Sequence, residues 1–381
     1  MDFSWTDEQL AFRNEVIAFA QAELNQGLAE RDRDGTFSRE QWEACARFGI
    51  QGLATPAEYG GRDCDILTAT LVMEALGYGC RDNGLTFGLN AQMWTVQLSI
   101  QNFGSDAQKS QYLPGLCDGS LIGAHGITEP EAGSDLYSLR TTAEKCDGGY
   151  VLRGEKAYCT FGPIANVYLI FANARPDAGS WGITAFLVDD DNPGVRRSDV
   201  KQKMGLRTVP MGEFELVDCF VPESARLGGE GAGVSISNSS LEWERACILA
   251  SQVGAMERQL EESVAYARKR KQFGQPIGKF QAVSHRIAEM KVRLEAARLL
   301  LYKVAWLKST GKSAVIDAAI AKLFLSEAFV DSSLDAIRVH GGRGYLTESG
   351  IEPDLRDAVG GVIYGGTSDI QRNVVARLLG L

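Results

Sequence analysis

From Trp5 to about Cys117 the apolar positions recur at helical spacing. Thr6 and Gln9 have the side chains for a capping box, and Leu10, Val16, Ile17, Ala20 and Leu24 follow as a stripe. The stretch "ATPAEYGGRD" interrupts with turn residues, and "LTATLVMEALGYG" resumes a helix. From about Ile122 to Gly231 the period shortens. "GYVLRGEKAYCTFG", "NVYLIFANA", "WGITAFLVDD" and "GEFELVDCFVP" are β-rich runs parted by Gly, Asp, Asn and Pro, the pattern of a small barrel or sandwich. From about Ala232 helices return. "LEWERACILASQVGAMERQLEESVAYARKR" and "RIAEMKVRLEAARLLLYKVAWLK" each read as one long helix, which predicts a helical bundle. The layout is three domains, helical over 1–121, β over 122–231 and helical over 232–381, with no internal repeat and no low-complexity segment.

Composition narrows the class. The chain has 381 residues, 45% hydrophobic and 23% charged, enough for two or three globular domains. A net charge of -10 argues against a nucleic-acid partner. "MDFSWTDEQL" lacks the basic and apolar regions of a signal peptide, and no apolar run approaches the roughly 20 residues that span a bilayer. The expected location is the cytoplasm. Eight cysteines without a CxxC pair read as reduced, mostly buried small hydrophobes. His125, His285 and His340 stand at unrelated spacings, so no metal site is expected.

Several stretches carry candidate chemistry, each with a plainer alternative. In "GITEPEAGSD" (126–135), Pro130 forces a turn, and Gly133 and Ser134 offer backbone and hydroxyl donors suited to a phosphate or a heterocycle; a mere turn explains it equally. In "RGEKAYCTFG" (153–162), Tyr158 and Thr160 share a strand face, where an aromatic and a hydroxyl could meet a flat ring or simply line a barrel. "ARKRKQFGQPIGKFQAV" (267–283) is a basic helix end, with Arg270 and Phe273 able to meet a pyrophosphate and an aromatic base. "RVHGGRGY" (338–345) and "YGGTSD" (364–369) imply close backbone approach.

Taken in order, "GIQGLATPAEYGG", "GSDAQKSQYLPGLCDGSLIGAHGITEPEAGSD", "RKQFGQPIGKFQAV", "HGGRGY" and "YGGTSDIQRNVVAR" resemble the acyl-CoA dehydrogenase family of flavoproteins over nearly the whole chain. The resemblance implies a helical N-terminal domain, a central β-barrel domain and a C-terminal four-helix bundle, with FAD as cofactor. It implies that His125, Ile127, Thr128, Gly133 and Ser134 line the flavin ring, with Tyr158 in the position of the family's usual Trp and Thr160 at flavin N5. Arg270, Gln272 and Phe273 match residues that reach the FAD of a neighbouring subunit. Gln281, Arg338, Gly341 and Gly342 fall near the pyrophosphate, and Thr367 and Asp369 near the adenosine half. No single subunit would then bind FAD fully, and the resemblance implies the family's homotetramer, a dimer of dimers. Arg338 stands where Gln is usual, Glu131 where Gly is usual, and His125 replaces an aromatic; the first adds positive charge beside pyrophosphate.

The family's usual base, a Glu between Tyr364 and Gly366, is absent: the residue is Gly365. Its backbone N–H remains, and in the family that N–H polarises the substrate's thioester carbonyl. A minority branch carries its Glu on the first long helix of the C-terminal domain, directly before an Arg, and Glu244-Arg245 matches it. Glu244 is therefore the expected base and Gly365 the expected oxyanion donor, with Arg245, Ser134 and Glu242 near the substrate, Glu242 roughly on the opposite helix face. A missing carboxylate at 365 leaves room for a cyclic or α-branched acyl group. The combination resembles the prolyl-carrier-protein dehydrogenases and oxidases of secondary metabolism, which act on L-prolyl held as a thioester on a peptidyl or acyl carrier protein. An electron-transfer protein or O2 would reoxidise the flavin, and Arg196, Arg197, Lys201 and Lys203 are candidate carrier contacts. The alternatives are a dehydrogenase of short or branched acyl-CoA, a flavin monooxygenase of the same fold, and a non-catalytic flavin-binding scaffold.

Overall fold

The computed structural model describes residues 4–381; Met1, Asp2 and Phe3, the head of the stretch read for a leader, lie outside them. α1 (Asp7–Glu23) starts on the expected capping box, in which Thr6 Oγ1 accepts from the Gln9 N–H and the Gln9 side chain returns to the Thr6 N–H. α2 (Leu28–Asp34), α3 (Arg39–Phe48), α4 (Ile66–Gly79) and α5 (Asn83–Ala91) follow. A π-helical turn over Gln92–Gln97, α6 (Leu98–Phe103) and α7 (Asp106–Cys117) complete this part.

The β part is one sheet. Its strands are β1 (Gly123–Gly126), β2 (Thr142–Cys146), β3 (Gly149–Thr160), β4 (Val167–Asn173), β5 (Ile183–Asp189), β6 (Val195–Arg197), β7 (Met211–Pro222) and β8 (Arg226–Leu227). They run in the order β6-β7-β3-β2-β4-β5-β8, with β1 parallel to β4. β4 is apolar without alternation because both its faces are covered: Tyr168, Ile170 and Ala172 join one buried cluster, Val167, Leu169 and Phe171 another. β3 and β7 pair antiparallel, and their register shifts between Lys156 and Cys159.

After the sheet come α8 (Gly233–Cys247), α9 (Ala250–Lys269), the hairpin β9 (Lys271–Gln272) and β10 (Gln275–Pro276), α10 (Gln281–Ser309) and α11 (Val315–His340). α12 (Gly342–Tyr345), α13 (Glu352–Gly361) and α14 (Ser368–Leu378) close the chain. α8 to α11 pack as a four-helix bundle. The single helix expected from Leu241 to Arg270 is instead broken at Ile248 and Leu249. α9 is held so close to α4 that a Cβ on Gly77 would stand 1.9 Å from the Ser251 carbonyl oxygen, and one on Gly254 1.9 Å from that of Glu74. α8 packs instead on β5, α6 and the π-helical turn. One straight rod cannot satisfy both directions, so the helix breaks between them. Among the described residues all eight cysteines are free, six of them buried, and no helix is long and apolar enough to cross a membrane.

Candidate active site

The break in the long helix decides where Glu244 lies. It falls in the last turn of α8, where its carbonyl accepts from Ile248 N–H, and its carboxylate reaches the turn before α14. A Cβ built on Gly365 would lie 3.4 Å from Glu244 Oε1, so the carboxylate fills the space beside the missing side chain. The room inferred there for a branched substrate is thus taken by the relocated acid. Burial pushes the Glu244 carboxyl up to about 7, against the pull of Arg245 and Lys322. The negative end of α8 acts in the same direction as burial.

Opposite this carboxylate the turn is held open. Gly365 and Gly366 have φ of +63° and +85°, the left-handed region that favours glycine. Gln371 Nε2 donates to the carbonyls of Gly365 (3.1 Å) and Gly366 (3.0 Å), and Lys322 Nζ donates to Gly366 at 2.7 Å. The Tyr364 hydroxyl accepts from Gln252 Nε2 at 2.7 Å while its ring packs on Phe87. Gly365 N–H finds no acceptor among the described residues, which leaves it free to donate to a ligand. Arg245 Nε is buried and also lacks a partner. Glu242, expected near the substrate, is turned away: it pairs with Lys308 at 2.6 Å, and that ammonium lies over the Trp243 ring. Its placement two residues from Glu244 sends it to another helix face.

On the sheet side, the two motifs read separately meet. The Ala157 N–H donates to the Thr128 carbonyl at 2.9 Å, which lays the 126–135 loop against the end of β3. Tyr158 and Thr160 share the outward face there, while Ala157, Cys159 and Phe161 are buried. Tyr158 is 64% exposed and has a φ of +54°, a strained geometry for an aromatic residue beside the register shift. Gly133 and Ser134 are exposed on the loop, and Tyr137 Oη donates to Asn238 Oδ1 on α8 at 3.0 Å. Ile127 buries its side chain in the sheet's apolar cluster, so only its backbone faces outward chemistry. His125 stands edge-on to Phe171 with its Nε2 buried and unpartnered; burial, with Lys156 adding, drives its pKa down to about 4. Sequence reading missed the anchor under this loop. Lys156 Nζ, fully buried, donates at 2.7 Å to both Glu129 Oε1 and the Phe171 carbonyl, and Glu129 also accepts from the N–H groups of Arg140 and Thr141.

The third group lies on the helical side. Arg270 and Gln272 are exposed at the hairpin, and Phe273 is 93% exposed with φ +49°, edge-on to Phe280. Gln281 is exposed at the start of α10. Arg338 joins Arg286 and Arg293 on one carboxylate, buried Asp335, which leaves surplus positive charge at the end of α11. Gly341 and Gly342 follow with no atom within 4 Å of an added Cβ. Thr367 caps α14 through the Ile370 N–H, and Asp369 pairs with Arg372. Of the candidate carrier contacts, Arg197 is paired with Asp190, Lys201 with Glu213, and Lys203 with the Val209 carbonyl, so the expected free basic rim is mostly committed within the chain.

These features fit FAD. The exposed, strained Tyr158 beside Thr160 offers a face for a flat ring, the orphaned His125 nitrogen and the open Gly133–Ser134 loop offer polar contacts, and the arginine surplus suits a diphosphate.

Comparison with known proteins agrees over the full length. Residues 6–120, 124–219 and 231–380 match the N-terminal, middle and C-terminal domains of acyl-CoA dehydrogenases. The chain is 42% identical to an L-prolyl-[peptidyl-carrier protein] dehydrogenase of Pseudomonas fluorescens, covering 100% of both. It superposes on the prolyl acyl carrier protein oxidase AnaB with a TM-score of 0.98 at 49% identity, covering 99% of this chain and 100% of that one. Against PigA with FAD and proline the TM-score is 0.97 at 40% identity, covering 100% of each.

Proposed function

Since the chain belongs to the acyl-CoA dehydrogenase family, we propose that it is an FAD-dependent oxidase or dehydrogenase of an L-prolyl thioester carried on a peptidyl carrier protein, in secondary metabolism. The observation that carries this reading is the Glu244 carboxylate lodged beside Gly365. Bound FAD supplies the two-electron acceptor. Everything else is done by the chain. Glu244 takes the proton from the substrate Cα, the role its raised pKa and its place beside Gly365 favour. Gly365 N–H, unpartnered in the turn, donates to the thioester oxygen where negative charge gathers. Arg245 supplies a cation at the edge of the same space. Tyr158 and Thr160 present the face against which the ring rests, and Ser134 and Thr128 border it.

The assembly proposed is a homotetramer, with Arg270, Gln272 and Phe273 of one subunit completing the FAD site of another. In support, Phe273 is almost fully exposed, and Val292, Leu299, Ile320 and Phe324 are exposed apolar residues on α10 and α11.

The test is single-turnover flavin bleaching with L-prolyl carrier protein and with short and branched acyl-CoAs. Bleaching by the prolyl carrier alone, lost in Glu244→Gln, supports the proposal. Bleaching by acyl-CoAs instead reassigns the substrate, and none with any thioester returns the scaffold and monooxygenase readings. Hydrogen peroxide formed under air marks O2 as the acceptor; its absence marks an electron-transfer protein.

A further inference from the structure

Among the described residues two lysines are wholly buried, Lys156 and Lys322. Lys156 has a carboxylate in contact. Lys322 has none within ion-pair distance among the described residues, and its one hydrogen-bond acceptor is the Gly366 carbonyl. Burying an ammonium without a contact counter-ion is costly, and a neutral donor would hold a carbonyl at less expense. Its position on α11 accounts for the charge: Lys322 holds the Gly366 carbonyl while the Glu244 carboxylate lies beside Gly365 in the same glycine turn. Each favours the other's charged form, though burial still lowers the Lys322 pKa to about 8.

We propose that Lys322 is a positioning residue for proton removal: its ammonium holds the Gly366 carbonyl and faces the Glu244 carboxylate, so that one cation fixes the turn and keeps the base ionised. The inference rests on the reading of Glu244 as the base. Both flanks of the Gly365 N–H are anchored, by Gln252 on Tyr364 before it and by Gln371 and Lys322 on the two carbonyls after it. Loss of the ammonium frees one anchor and removes one of two cations at the carboxylate. The other charged and titratable groups that bear on Glu244 are few. Arg245 neighbours it on α8, where Glu242 is occupied by Lys308. Tyr364 approaches from the turn, Tyr137 approaches Arg245 from the sheet side, and Glu327 on α11 is paired with Arg372.

The test uses the FAD-loaded protein and three variants, Lys322→Met, Lys322→Gln and Lys322→Arg. Two quantities are read against pH: the rate of flavin bleaching by L-prolyl carrier protein, and carbodiimide labelling of Glu244 followed by peptide mass spectrometry, which reports the protonated carboxyl without turnover. Lys322→Met should move both midpoints up by about one pH unit. It should also lower the high-pH rate about tenfold with little change in KM. Lys322→Gln should move the midpoints while keeping most of the high-pH rate, because a donor to Gly366 remains. Lys322→Arg should keep the midpoints and lose rate. Unmoved midpoints in Lys322→Met, or in Lys322→Gln should the Met variant fail to fold, overturn the proposal. Full bleaching by Glu244→Gln would instead sink the base assignment, while a labelling shift in the lysine variants would still report the electrostatic link.

Discussion

Glu129, buried, and Glu244, half-buried, are both carboxylates near a buried lysine, yet they are placed for opposite ends. Glu129 touches Lys156 at 2.7 Å and accepts from two backbone N–H groups and the Thr141 hydroxyl. Burial pushes its pKa up, and these donors more than offset it, leaving the group below the usual carboxylate value. Glu244 has cations near it but no hydrogen bond to either, and burial prevails. Contact engages both carboxylate oxygens and makes an anchor. Distance leaves the lone pairs available and makes a base.

The comparison breaks most visibly at the base. Glu244→Gln should slow flavin bleaching by the prolyl carrier about 10³- to 10⁴-fold, read by stopped flow, with FAD still bound. At the anchor, Glu129→Gln leaves Lys156 buried without its counter-ion and should cost about 3–5 kcal/mol in urea unfolding, with the Glu129→Gln/Lys156→Met double variant recovering part. The pH dependence separates the two directly. Because the Glu244 pKa is raised on folding, its contribution favours the folded state at acid pH and is lost as pH climbs from near 4.5 through about 7. Glu244→Gln should therefore raise the melting temperature at pH 8 and not at pH 4, and the wild-type bleaching rate should climb through pH 7. The smallest effect belongs to the paired neighbour: Glu242→Gln should cost under about 1 kcal/mol and leave the bleaching rate within twofold.

Much of this was legible before the structure. The capping box at Thr6 and Gln9, the change from helix to strand and back, and the pairing of Glu244 with an empty position at 365 all follow from pattern and resemblance. The helix break at Ile248 was not, because its cause is the approach of α9 to α4, from residues far apart in sequence. Lys156 and Lys322 were passed over because a charged residue ordinarily reads as surface. Each carried a signal all the same. Lys322 has Ala318, Ala319, Leu325 and Ser326 on its own helix face, all buried. Lys156 falls in phase with the inward Tyr150 and Leu152 of β3. Glu242 misled for the converse reason: proximity in sequence to the base says nothing of direction around a helix, and Lys308 lies sixty-odd positions away.

The near contact of Gly77 and Gly254 with the facing backbones has a consequence for engineering. Any side chain added at either position is a wedge between α4 and α9, and α9 begins three residues after Cys247. A single methyl there would tilt the rod that follows the break and drag the end of α8, with its carboxylate, off the glycine turn. Activity should thus fall at two sites that touch neither flavin nor substrate.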